Sequence, residues 1–379
     1  MKLHLRRDAL LKPLQQVIGV VERRQTLPIL GHILLKAESD KLVLTATDLE
    51  VELVATATLD VEPDPATGKR DEVSEPGIIT LPARKLLDIV RSLSDTSDLS
   101  LEQRESQVVL RSGKGRFTLA PLAAEDFPSL EEEIEFTSQF SISQHALKGL
   151  LERTHFAMAQ QDVRYYLNGL YIETTGQKID AVATDGHRLA KCELKDLGQE
   201  TSRCQVIVPR KGVQELLRLV DDSQSELLLQ LGTNHVRVSG SDFRFTSRLI
   251  DGRFPDYKRV IPTQSGHTVS VSRQLLREAL SRTAILSNEK YRGVRIRLTS
   301  GRLEMLAHNP ENEEAEEHLE IEYEGDPIEI GFNVSYLLDA LAAISGDTAE
   351  LHLIDPNSSC LLTDAADDSC QYVIMPMRL

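Results

Sequence analysis

The chain has no tryptophan, and Phe, Trp and Tyr together make up 4% of its 379 residues. So few aromatics argue against base stacking as a main mode of binding nucleic acid. There are four cysteines, Cys192, Cys204, Cys360 and Cys370, with no C-x-x-C pair among them. His and Cys never gather at metal-ligand spacing. A large chain with few scattered thiols fits a reducing cytoplasm, so a cytoplasmic location is expected. No apolar stretch approaches the roughly 20 residues a membrane helix needs, so no membrane partner is expected. The opening MKLHLRRDALLKPL is charged throughout and lacks a small-residue cleavage site, so it does not read as a signal peptide. A Gly-rich phosphate loop, G-x-S-x-G and H-E-x-x-H are also missing. Neither a cofactor nor a metal is expected.

Repeats are present instead. Three segments open with an alternating strand that gives way to helical spacing: KLHLRRDALLKPLQQVIGVV from Lys2, QFSISQHALKGLLERTHFAMA from Gln139 and HTVSVSRQLLREALSRTAILS from His267. The change of apolar period from 2 to 3.6 marks each strand-to-helix junction. A second element also recurs three times, in GIITLPARKLLDIVRSL, CQVIVPRKGVQELLRLV and PIEIGFNVSYLLDALAAI. Pro82 and Pro209 suit a first helical turn, and Asn333 or Ser335 can cap the third helix. TATDLEVELV, VATDGHRLAKCEL and the divergent LAHNPENEEAEEHLEI form a third echo. Alternating strands with turn signals fill the rest. Each repeat therefore reads as two helices plus a substantial antiparallel sheet, an α+β unit. The expected bounds are 1–135, 136–264 and 265–379.

The net charge is −16, which on average argues against a nucleic-acid partner. The charge is segregated, however. Expected helices at 6–24, 84–94, 143–161, 209–220, 272–290 and 332–345 carry +9 between them, leaving −25 for the remainder. Basic helices without interleaved aromatics or a recognition motif point to sequence-independent phosphate contact.

The sequence resembles the bacterial replicative sliding clamp, the beta subunit of DNA polymerase III, over its whole length. The likeness rests on LLKPLQQV, TLPIL, QDVRYYLNG, TDGHRLA, VIVPRKG, DGRFPDY, AILSNEKYRGVR, NPENEEAEE, IGFNVSYLLD and the terminal YVIMPMRL. The resemblance implies a head-to-tail homodimeric ring around duplex DNA, with helices lining the hole. It implies a non-enzymatic processivity factor that tethers the replicative DNA polymerase. An ATP-dependent clamp loader, and other replication and repair proteins carrying clamp-binding peptides, would be its further partners. Bead geometry agrees with a dimer. A ~125-residue unit has a diameter of roughly 36 Å, so three in a triangle leave a hole of about 6 Å and six in a hexagon leave about 36 Å. A duplex is about 20 Å across.

For DNA contact the resemblance falls on Arg24, Arg84, Arg91, Gln161, Tyr166, Lys211 and Arg218. Charge and helix position add Lys12, Lys148, Arg153, Arg277 and Arg282. Closure of the ring needs a heterologous contact between the first repeat of one chain and the third of another. QVVLRSGKGRFTL and GVRIRLTSGRLEML are the expected edges. The resemblance puts Phe117, Leu119, Ile285 and Leu286 at the apolar centre, and Arg116 could face Glu313 and Glu316.

VATDGHRLA gathers Asp185, His187 and Arg188 within four positions, as an acid–base centre would. The first-repeat counterpart has Leu49, Glu50 and Val51 in place of Gly186, His187 and Arg188. With no nucleophile motif nearby, catalysis is disfavoured, and the resemblance implies instead a pocket that receives short peptides. By resemblance that pocket gathers Leu167 with Thr184, Gly186, His187, Arg188 and Leu189. A second segment brings Pro255, Arg259 and Val260, and the chain end brings Ser359, Val373, Met375, Pro376, Met377 and Arg378. Leu, Val, Pro and Met make an adaptable apolar surface, rimmed by His187, Arg188, Arg259 and Arg378. A hydrolase using Asp185–Arg188 and a monomeric nucleic-acid-binding scaffold are the rival readings.

Overall fold

The computed structural model describes residues 1–21, 27–62, 70–130, 134–263 and 266–378. Six α-helices occur among them: α1 (Arg7–Val17), α2 (Ala83–Ser92), α3 (Gln144–Glu152), α4 (Arg210–Leu219), α5 (Arg273–Thr283) and α6 (Val334–Ala343). Each begins at the residue immediately after the end of a strand. The expected strand-to-helix junction is therefore found six times. Asn333, not Ser335, caps α6, its side chain accepting from the Ser335 N–H at 2.9 Å. Ser272 caps α5 through the Leu275 N–H at 3.4 Å. Pro82 lies just ahead of α2, as its cap residue rather than inside the first turn.

The helices are shorter than their apolar pattern predicts. α1 stops at Val17, ahead of Gly19 and two valines, all poor helix formers. α3 stops at Glu152, and the Thr154 hydroxyl then donates to the Leu150 carbonyl at 2.6 Å as the chain tightens into a 3-10 turn at His155–Ala157. On the observed spans, from α1 to α6, the net charges are +1, +2, 0, +2, +2 and −1. The basic bias thus falls to +6 against −22 elsewhere, smaller than expected but of the same sign.

Two compact units account for the chain. One comprises Met1–Gln144 with Glu215–Leu249; the other comprises His145–Gln214 with Ile250–Leu379. In the first, a five-stranded sheet runs in the order Glu72–Glu75, Lys2–Arg6, Asp98–Arg104, Gln107–Ser112, Gly115–Leu119. Its eight-stranded companion runs Phe136–Ser143, Glu226–Gly232, His235–Ser239, Phe243–Arg248, Val51–Thr58, Lys41–Thr47, His32–Ala37, Gly77–Pro82. α1 packs on α2 and on the strand Val51–Thr58, burying Leu10, Leu14 and Val17.

The second unit holds another eight-stranded sheet, in the order Thr201–Pro209, Gly169–Gly176, Lys178–Thr184, Arg188–Leu194, Cys370–Ile374, Cys360–Asp364, Thr348–Leu353, His267–Ser272. A four-stranded sheet follows the order Glu314–Glu320, Arg302–His308, Gly293–Thr299, Ile328–Asn333. α5 packs on α6 and on Glu314–Glu320, burying Leu276, Ala279 and Leu280.

Both eight-stranded sheets are made from two four-stranded halves joined in the same way. The strand after the TATD turn, Val51–Thr58, pairs antiparallel with Phe243–Arg248. The strand after the VATD turn, Arg188–Leu194, pairs with Cys370–Ile374. The third such strand, Glu314–Glu320 after Asn309, is a sheet edge, and so is Gly115–Leu119. This corrects one sequence expectation, because GVRIRLTSGRLEML occupies the middle of its sheet rather than the edge. Both of its strands are paired on each side, and their alternating burial (Val294, Ile296, Leu298, Leu303, Met305) faces one side of the sheet to the core.

Cys192 and Cys370 stand opposite each other across the second joint and form a disulfide, their Cα atoms 4.1 Å apart. The thiols scattered in sequence are thus partly paired in space, 178 positions apart. Cys360 is buried, which pushes its thiol up to about 12.

Candidate functional site

The stretch VATDGHRLA is a hairpin corner in the second unit. Thr184 closes one strand and Arg188 opens the next. Asp185 Oδ1 accepts from the N–H groups of His187 and Arg188 at 2.9 and 3.0 Å. Thr184 Oγ1 accepts from the Gly186 N–H at 3.1 Å and donates to the Arg188 carbonyl at 2.6 Å. Gly186 has φ +88°, a left-handed conformation that favours glycine. Asp185 is therefore spent on the turn, as Asp residues in such corners usually are.

Arg188 is spent on packing. Its Nε donates to Asp185 at 3.2 Å, its Nη1 to Asp339 at 2.5 Å and its Nη2 to the Phe156 carbonyl at 2.7 Å. The guanidinium lies 4.5 Å from the Tyr336 ring centroid and 5.4 Å from that of Phe156. Burial raises the Tyr336 hydroxyl above its ordinary range. Phe156, Tyr336 and Asp339 were missed in the sequence. Tyr336 and Asp339 sit within IGFNVSYLLD, so the motif was visible, but nothing local tied it to residue 188. With both charged groups held by neighbours, the corner offers no acid–base pair.

Around the corner the structure brings some of the expected pocket residues together. Leu167, Leu189 and Val373 belong to one buried cluster with Tyr171, Phe254 and Tyr257. Tyr171 stacks on Phe254 at 4.8 Å. Leu189 is the register partner of Val373, and the Met375 N–H donates to the His187 carbonyl at 2.9 Å. The Ser359 hydroxyl lies 3.0 Å from the Met375 sulfur. These three apolar side chains form a floor, not a lining. Of the apolar residues in the set, Val260 and Met375 are accessible, 43% and 41% exposed. Gly186, His187, Pro255, Arg259 and Arg378 are exposed, with Pro376 and Met377 half-buried; Met377 and Arg378 line a separate cavity with Tyr291, Arg295 and Pro310. The Met377 N–H donates to the Gly331 carbonyl at 2.8 Å, which fixes the chain end instead of letting it fray.

The loop at QDVRYYLNG is tied to the same corner. Arg164 donates to Asp162 at 2.8 Å and to the Asp185 carbonyl at 3.2 Å. That pairing draws the Asp162 carboxyl down to about 2. Val163 and Tyr165 are strongly exposed, at 94% and 57%.

The expected DNA contacts fall on several different elements. Arg24 lies outside the described residues. Arg84 reaches back to the Val21 carbonyl, and Arg91 is exposed in the last turn of α2. Gln161 is exposed at φ +55°, and Tyr166 packs edge-on against Tyr165. Lys211 and Arg218 lie on α4, Arg218 paired with Glu215 at 3.1 Å. Among the residues added from charge, Arg153 is bound to Asp367 and Arg282 to Glu317, so neither is an unengaged cation.

The expected interface residues divide by burial. Ile285 is 74% exposed, Phe117 and Leu286 are half-buried, and Leu119 is 6% exposed and packs into the core. Arg116 is exposed on an edge strand. Glu313 is held by the Asn309 amide at 2.6 Å, and Glu316 lies 3.6 Å from Arg302.

Comparison with known proteins agrees with this architecture. Residues 1–131, 141–256 and 258–378 match the families described as the N-terminal, central and C-terminal domains of the DNA polymerase III beta subunit. The beta sliding clamp of Pseudomonas aeruginosa is 52% identical over 99% of both chains, and that of Escherichia coli K12 is 48% identical over 100% of both. A crystal structure of the P. aeruginosa beta subunit superposes with a TM-score of 0.93 at 51% identity, and Caulobacter crescentus pol III beta with 0.91 at 40%, each covering both chains fully. The chain belongs to the DNA polymerase III beta-subunit family, the beta sliding clamps, and is a non-catalytic processivity factor of DNA replication.

Proposed function

We propose that two copies of this chain close head to tail into a ring around duplex DNA, with its helices lining the hole. One observation carries the reading. The joint between half-sheets is made twice within the chain, by Val51–Thr58 with Phe243–Arg248 and by Arg188–Leu194 with Cys370–Ile374. The two strands left to make it a third time, Glu314–Glu320 and Gly115–Leu119, are both sheet edges. Pairing them between protomers repeats a junction the chain already uses and removes two exposed edges. The chemistry is complementary: Glu314 and Glu316 are exposed on one edge and Arg116 on the other. Ile285 supplies an accessible apolar side chain for the contact.

In this reading the chain is three clamp repeats, at 1–135, 136–264 and 265–379. Arg84, Arg91, Gln161, Tyr166, Lys211 and Arg218, with Arg24, make diffuse phosphate contacts that allow sliding. Retention comes from topology, so an ATP-dependent loader must open the ring. The corner at Thr184–Leu189, with Val260, Met375 and Arg378, receives short peptides of the replicative polymerase and of other replication and repair proteins in the cytoplasm.

Two measurements test this. Gel filtration is expected to give about twice 42.3 kDa, and Arg116→Glu with Ile285→Asp to give monomers. Loaded onto nicked circular DNA, the clamp stays until the circle is cut and then slides off the ends. A clamp that leaves circles and linear DNA equally fast would overturn the ring.

A further inference from the structure

We propose that Cys192 and Cys370 are an oxidant-responsive thiol modification site, a dithiol that peroxide converts to a disulfide across the joint of the second unit. The register sets this up. The Met375 N–H bonds to the His187 carbonyl and the Glu193 N–H to the Ser369 carbonyl. Counting between those pairs makes Cys192–Cys370 a non-hydrogen-bonded pair, the kind in which facing side chains come closest. The Cα separation of 4.1 Å follows from that register. The two sulfurs therefore face each other whether or not a bond joins them, and little backbone rearrangement separates the two states.

The fold itself does not ask for cysteine here. The equivalent pair in the joint of the first unit is Ala55–Phe243, an apolar contact. Both joints form, so the thiols add something beyond pairing. Their surroundings say what. Arg153 Nη1 lies 3.6 Å from Cys370 Sγ, and the Ser369 hydroxyl 3.7 Å away. A guanidinium beside a sulfur favours thiolate, the reactive form. Arg153 is held by Asp367 at 3.2 Å. A cleft of about 10 Å³ is lined by Cys370 together with Arg153, Asp364, Asp367 and Tyr372 among others. That is room for about one water-sized group. Cys370 is 5% exposed, Cys192 2% and Cys360 0%, so of the three Cys370 is the most accessible.

The chemistry is a two-electron oxidation by a small peroxide. The Cys370 thiolate attacks one peroxide oxygen, the O–O bond breaks, and hydroxide leaves and is protonated to water. The resulting sulfenic acid is attacked by the Cys192 sulfur. The S–S bond forms, the S–O bond breaks, and the second water carries off the Cys192 proton. Two thiols are oxidised and one hydrogen peroxide is reduced to two waters. A thiol reductant reverses the reaction. The bond ties residues 192 and 370 of the same sheet, three positions along each strand from Leu189 and Val373.

The test uses the full-length clamp, reduced with dithiothreitol, freed of reductant, exposed to micromolar hydrogen peroxide and alkylated. Intact mass is expected to show a loss of two hydrogens. Peptide mapping is expected to show a single cross-link between Cys192 and Cys370, absent in Cys370→Ser and in Cys192→Ser and removed by dithiothreitol. The oxidised form should melt higher by roughly 5–10 °C, as expected for closing a long loop. Arg153→Leu should slow cross-linking about tenfold or more while leaving the folded far-ultraviolet spectrum unchanged. Failure of the cross-link to form, prior oxidation of Cys204 or Cys360, or an unchanged rate in Arg153→Leu would overturn the proposal.

Discussion

Two corners of the molecule share one backbone design and differ in what they do with it. At Thr47–Val51, Asp48 Oδ1 accepts from the N–H groups of Glu50 and Val51 at 2.9 and 2.7 Å, and Thr47 Oγ1 accepts from the Leu49 N–H at 3.1 Å. At Thr184–Arg188 the corresponding atoms make the same three bonds. Leu49 has φ +78° and Gly186 φ +88°. In both, the following strand makes the joint to another half-sheet. The differences lie in the side chains. Val51 is buried against the core, while Arg188 reaches across to Asp339, Phe156 and Tyr336. The Thr-Asp turn is thus a structural device of the repeat. Only one copy carries a guanidinium and a glycine at the corner.

The largest expected effect comes from the side chain that distinguishes them. Arg188→Ala leaves Asp185 without its ion pair, Asp339 without its partner and the Phe156 carbonyl without its donor. A loss of about 3 kcal/mol is expected by urea denaturation, because breaking a half-buried charge network costs more than its pairs contribute. Val51→Ala in the other corner removes two methyl groups and should cost about 1–2 kcal/mol. Equal losses would mean that the guanidinium network adds nothing to the second corner.

The shared aspartate comes next. Asp48→Ala removes two turn hydrogen bonds and should cost about 1–2 kcal/mol. Asp185→Ala removes the same two bonds and also the contact to Arg188 Nε, so it should cost roughly 1 kcal/mol more. Arg188→Met as background separates the terms. In that background the two aspartate substitutions should converge. Persistence of the gap would assign it to something other than Arg188.

Much of this was legible in the sequence because it is local. The Thr-Asp echo at residues 47 and 184, the six strand-to-helix junctions and the capping Asn333 all depend on residues within a few positions of one another. What was not legible depends on distance along the chain. Tyr336 and Asp339 meet Arg188 only because Cys370–Ile374 pairs with Arg188–Leu194. The same pairing brings Cys192 to Cys370. Acidic Glu314–Glu320 shows alternating exposure and reads locally like any solvated strand, so its place at the edge emerged only from sheet order. The helix ends at Val17 and Glu152 were overrun because apolar spacing continues past the point where turns take over.

The smallest expected effect concerns the residue at positive φ. Gly186→Leu forces a branched side chain into the left-handed region, at a cost of about 1–2 kcal/mol. A Cβ there also comes within 3.0 Å of the Arg164 guanidinium, which is flexible and can yield. The reverse change, Leu49→Gly, relieves a similar strain. Two terms oppose the gain. Glycine adds about 0.5–1 kcal/mol of unfolded-chain entropy. The Leu49 side chain, 37% exposed, loses its partly buried contacts. The turn hydrogen bonds, already formed, gain nothing. Leu49→Gly should therefore lie within about 0.5 kcal/mol of the parent in urea midpoint, while Gly186→Leu falls clearly below it. A stabilisation by Leu49→Gly of more than about 1 kcal/mol would mean that Leu49 contributes no burial worth keeping. The two corners would then differ in strain as well as in side chains.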